Sequence, residues 1–144
     1  MSDGLKLLAE DGADLEILAA AAQDALVRMG DLSFDPKARR FAAFINRFRW
    51  EAAEPGGPYQ RVRAALSFES VLSVKSRKLR RDAPDALASV LAVGFEPAAE
   101  PPGGVVRIVL AGGGEIVLDV ECLDALLLDV GAAWNTPRRP DHQA

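Results

Sequence analysis

The sequence predicts a mainly β fold, a single antiparallel barrel or two-sheet roll of seven strands with a short N-terminal helix and a C-terminal capping helix. Three observations carry this prediction. Seven short segments with alternating or continuous apolar positions follow one another between Ala25 and Val120. The links between them are short, and none is long and helical enough for the crossover that a parallel pair requires. After Val120, the residues Leu123, Leu126, Leu127 and Val130 stand at i, i+3, i+4 and i+7, the spacing of one helical stripe, with Gly131 as a stop.

The elements read in order as follows. Leu5–Leu8 is a short edge strand, and Asp14 is placed to cap a helix over Leu15 to about Ala22. Val27 and Met29 have one parity, Leu32 and Phe34 the other. Alternation cannot change face without extra residues, so a bulge is expected near Gly30. Asp35-Pro36-Lys37-Ala38 is a turn. Arg40–Trp50 is a strand with Phe44, Phe48 and Trp50 on one face and Phe41, Ala43, Ile45, Arg47 and Arg49 on the other. Arg61–Phe68 alternates cleanly, with Arg61 and Arg63 outward, and Val71–Ser76 continues beyond Glu69-Ser70. A basic loop leads to a strand around Leu87–Phe95. Val105–Leu110 and Ile116–Val120 form a hairpin around three glycines. Residues 1–134 form one domain, and 135–144 read as a disordered tail.

Seven meandering strands must curl or split into two layers to bury a face each. Closed by a helix, this order resembles the pleckstrin-homology-like barrel. A second resemblance lies in the residues themselves. Gln23-Asp24-Ala25, Gly30-Asp31-Leu32, Asn46-Arg47-Phe48-Arg49-Trp50-Glu51 and Gly112-Gly113-Gly114-Glu115-Ile116 leading to Asp119-Val120-Glu121-Cys122 are similar to a bacterial domain-of-unknown-function family, number 2948. That resemblance implies a single-domain bacterial protein and assigns no activity and no residue role.

Chemistry is sparse. The one histidine, His142, lies in the tail, and the one cysteine, Cys122, has no partner for an internal disulfide, so a cytoplasmic location is the expectation. Cys122 reads as a core thiol, because no histidine is at hand to activate it. One His and one Cys make no zinc pattern. Glu115, Asp119 and Glu121 share a parity but read as the solvated face of a strand. The three glycines lack the Lys-Ser/Thr of a phosphate loop. No catalytic residue, metal or cofactor is expected, and no apolar run is long enough to span a bilayer. The N-terminus lacks the basic and apolar regions of a secretory signal.

Charge is the feature left. Residues 36–82 hold twelve Lys/Arg against four acids, a net of +8 in a chain of net charge −4. Two clusters stand out: Arg47, Arg49 and Trp50, and the set Arg61, Arg63, Lys75, Arg77, Lys78, Arg80 and Arg81. The second cluster forms one patch if the strands 61–68 and 71–76 pair; internal pairing of its charges is the competing reading. The expectation is a non-enzymatic binding or adaptor module whose basic surface takes an acidic protein surface or a phosphorylated ligand. The alternatives are a nucleic-acid-binding protein, which the overall acidity and missing aromatics disfavour, and a regulator or enzyme binding a nucleotide or nucleotide sugar.

Overall fold

Asp11, three residues ahead of the expected cap, opens the N-terminal helix: its carboxylate accepts the Asp14 backbone N–H at 2.8 Å. A computed structural model of the chain describes residues 4–140. In chain order it contains β1 (Lys6–Ala9), α1 (Gly12–Ala22), β2 (Leu26–Asp35), β3 (Arg40–Phe48), a 3-10 turn (Trp50–Ala52), β4 (Tyr59–Phe68), β5 (Val71–Arg77), β6 (Leu87–Pro97), β7 (Gly104–Leu110), β8 (Glu115–Val120), β9 (Ala125–Asp129) and β10 (Trp134–Thr136). All pairings are antiparallel, in the spatial order β1-β9-β4-β3-β2-β6-β7-β8-β5, with β10 added to β4. The mainly β class and the seven strands between Leu26 and Val120 are as the sequence reads.

The sheet bends over one core without closing: β1 and β5 are its two ends. Leu15, Leu18 and Ala22 of α1 are buried with the inward residues of both halves of the sheet, among them Ile45, Leu66, Phe68, Ile108 and Leu118. The chain crosses from one half to the other at Glu69-Ser70. Ser70 sits at φ 59°, and its carbonyl accepts the Glu121 N–H at 2.9 Å. β4 and β5 therefore belong to different parts of the sheet, and among the described residues β5 pairs with β8 alone.

The expected C-terminal capping helix is a strand. β9 lies between β1 and β4, with Leu127 opposite both Leu7 and Leu66. The reason is visible in the residues. Leu123, Ala125 and Leu127 satisfy a period of two as well as the leucines satisfy 3.6, and a short apolar run cannot be assigned by periodicity alone. All three are buried, whereas Val130, the end of the supposed stripe, is 48% exposed. The strand expected to reach Trp50 ends at Phe48, where Trp50 opens the 3-10 turn. In the expected tail, Asn135 and Thr136 pair with Gln60 and Tyr59 in β10; His142 lies outside the described residues.

Gly104 shows how tightly the β6–β7 pair is set. A Cβ there would clash with the Glu96 carbonyl oxygen and stand 2.6 Å from the Phe95 ring. Gly104→Ala is expected to cost about 1–3 kcal/mol in denaturant unfolding, the usual range for overpacking; an unchanged midpoint would contradict this packing.

Candidate functional site

The site begins with the bulge in β2. Val27 pairs with Ile45 and Leu32 with Ala43, so five steps along β2 match two along β3. The extra residues swing out to the chain before β6: the Met29 and Gly30 N–H groups donate to the Ala86 and Pro84 carbonyls at 2.9 and 2.8 Å. The first half of β2 thereby reaches β6, through Leu26, Val27 and Arg28. The second half, Leu32–Asp35, keeps β3 as its one strand partner among the described residues. A cleft opens beside it.

This cleft has a volume of about 280 Å³ and is walled by Met29, Leu32, Phe34, Phe41, Val74, Leu79 and Ile116, with Ser33, Ser76 and Arg81 as its polar residues. Arg81 donates to the Ser76 hydroxyl. Leu79 and Met29 also line a second cavity of about 160 Å³ that includes Lys78, Arg80, Gly112 and Gly114. The loop can lie this close because residue 114 lacks a side chain: a Cβ there would be 3.3 Å from both Leu79 Cδ2 and the Lys78 carbonyl oxygen. Lys78 itself holds φ 56°, an uncommon conformation for a residue with a long side chain.

Charge pairing separates this loop from half of the basic segment. Six of the twelve cations have carboxylate partners: Arg39 with Glu121, Arg40 with Glu69, Arg47 with Asp129 and Glu51, Arg49 with Glu51, Arg63 with Asp31, and Arg77 with Glu115. Among the described residues, Lys75, Lys78, Arg80 and Arg81 form no ion pair, and all four are exposed. The cleft thus joins an apolar lining to cations that form no ion pair among the described residues.

Residues 5–142, a span that includes every strand from β1 to β10, match the family described as "Protein of unknown function (DUF2948)". The chain belongs to the DUF2948 family. No curated protein and no solved structure matches it significantly.

The expected site residues of this DUF2948 chain fall into two groups that the fold does not bring together as expected. Because β4 pairs with β3, β9 and β10, Arg61 and Arg63 are not carried to β5. Arg61 lies across the sheet, donating to the Asn46 carbonyl at 2.9 Å with its guanidinium 5.9 Å from the Phe48 ring; burial pushes its pKa below the usual arginine value. Arg63 lies over Phe44 at 5.0 Å. Trp50 packs edge-on against Phe48, and its indole N–H donates to the Gln23 carbonyl at 3.0 Å. Arg49 donates to Gln60. Arg47, expected among the binding residues, has no exposed surface at all and lies in a salt-bridge network.

Lys75, Arg77, Lys78, Arg80 and Arg81 make up the second group. Here the sequence named the charges and missed the apolar wall beneath them. The parity switch at Gly30 and the lone Leu79 inside a basic run were the available signals. Of the three carboxylates on the β8 side, Glu115 is held by Arg77 and Arg107 and Glu121 by Arg39. Among the described residues, no helix is long and apolar enough to cross a membrane.

Proposed function

We propose that this chain is a cytoplasmic binding module that captures an acidic protein segment through the cleft under the 78–81 loop. One observation carries the reading: an apolar cleft of about 280 Å³ has Arg81 in its wall and Lys78 and Arg80 just beyond Leu79, and none of the three has an ion partner among the described residues. Unneutralised cations beside an apolar pocket favour a ligand with negative charge and an apolar anchor. A finer kinship with pleckstrin-homology-like rolls is part of the same proposal. It is supported by seven consecutive antiparallel strands in a bent sheet, and superposing a crystal structure on such rolls tests it.

The test uses a displayed library of random peptides about twelve residues long. Enriched sequences are expected to be acidic with at least one large apolar residue. The K78E/R80E/R81E variant is expected to lose at least about tenfold in affinity for them, with an unchanged melting temperature, while Lys37→Glu binds as before. Arg77 is left in place because its reversal would set a new carboxylate against Glu115, 3.0 Å from the present guanidinium. Added salt should weaken binding in parallel. Equal binding by the triple variant, or enrichment of neutral sequences, overturns the reading.

A further inference from the structure

The cleft is also a gap in the sheet. β5 is the last strand of the sheet path, so one of its edges pairs with β8 and the other pairs with no strand among the described residues. Across the cleft, Leu32–Asp35 of β2 likewise has one edge that pairs with no strand among the described residues. Both edges contribute to one cavity, Leu32 and Phe34 on one side, Val74 and Ser76 on the other. One end of the gap is held by the Val71 N–H donating to the Arg39 carbonyl at 2.9 Å; the other is held by the bonds of Met29 and Gly30 to the loop before β6. Among the described residues, no strand pairing joins β2 to β5 between these two points.

An exposed strand edge is a template for another strand. Two such edges flanking an apolar cavity make a place where an added strand gains backbone hydrogen bonds and buries a side chain in one step. The size fits. Leu32–Asp35 spans about 13 Å at roughly 3.3 Å per residue, room for about four paired residues. A volume of 280 Å³ is at the lower limit of small-molecule pockets, about 300 Å³, and suits one or two inward side chains. Charge selects the occupant. Lys75 and Arg77 project from β5, with Lys78 just after it. A second β5 would set these cations against their own copies, which is unfavourable for directly opposed residues. An acidic strand would be attracted.

We infer that the partner supplies an extended acidic segment that enters this gap as an additional strand, bonded through its backbone to β5, with an apolar side chain seated among Leu32, Phe34, Val74 and Ile116. This rests on the acidic-partner reading above and specifies the partner's conformation. The segment has period two: apolar residues inward, acidic residues between them facing Lys75 and the loop cations.

A series of the best peptide from the library, each member N-methylated at one backbone nitrogen, tests the inference without altering the protein. N-methylation at every second position is expected to weaken binding about tenfold or more, as a lost and blocked hydrogen bond, while the positions between change it by less than about threefold. Uniform tolerance with binding retained overturns strand addition and leaves acidic capture standing. Failure of every acidic peptide to bind overturns both. A concentration-dependent dimer in sedimentation, dissolved by K75E, assigns the gap to a second copy and overturns the inference.

Discussion

Arg47→Ala is expected to destabilise the fold by about 3–5 kcal/mol, the range for breaking a buried ion pair at one partner. The Arg47 guanidinium has no exposed surface, and each of its five N–H groups has an acceptor. Nε donates to Asp129 Oδ1 at 2.7 Å and Nη2 to Asp129 Oδ2 at 2.8 Å. Nη1 and Nη2 donate to Glu51 at 3.0 and 2.8 Å, and Nη1 also to the Phe48 carbonyl at 3.3 Å. Asp129, 6% exposed, in turn accepts the Leu5 N–H at 2.9 Å. Removing the arginine leaves that buried carboxylate without its guanidinium partner. Lysine cannot reproduce two forks, so Arg47→Lys should recover little. Removing both charges in R47M/D129L should cost less than the single change, because apolar replacements of a buried pair are often neutral. Urea unfolding of the three variants measures this; a loss under about 1 kcal/mol for Arg47→Ala would contradict the network's role.

The same network sets a pH response. Burial opposes the charge on Arg47, but its hydrogen bonds to Asp129 and Glu51 outweigh this and hold its pKa above the ordinary arginine value. Hydrogen bonds from Arg47 hold the Glu51 carboxyl below its ordinary range. A depressed carboxylate stabilises the fold above its unfolded pKa, about 4.3, and that contribution is lost as pH falls through the lower folded value. Stability should therefore decline in acid, and less steeply once Arg47 is gone.

Leu127→Ala is expected to cost about 2–5 kcal/mol, while Val130→Ser stays within about 0.5 kcal/mol. Leu127 is fully buried in the middle of β9 with strands on both sides, and Val130 is 48% exposed. On a helix both residues would share the apolar stripe and their costs would be alike. The ratio of the two losses in thermal unfolding thus reports strand against helix directly.

The candidate site was half legible before the structure. The basic run 75–81 and the bulge at Gly30 are local features, and both stand in the fold. Their meeting across one cleft depends on β5 crossing to β8 and on β2 dividing its partners between β3 and β6. The cluster at Arg47, Arg49 and Trp50 reads in sequence like the other cations; its carboxylate partner Asp129 lies 82 residues away from Arg47.

Local chemistry was enough for the sequence by itself to determine the seven strands between Leu26 and Val120, the Asp35 turn, the glycine hairpin and the parity switch in β2. Alternation and turn residues act over a few positions, whatever the rest of the chain does. Only the tertiary structure decided that Ala125–Asp129 is a strand, that Arg47 is buried, and that β2 and β5 line one cleft without pairing to each other among the described residues. Each of these depends on backbone and charge partners supplied by distant segments, because an apolar run, an arginine or a strand edge takes its role from what lies beside it.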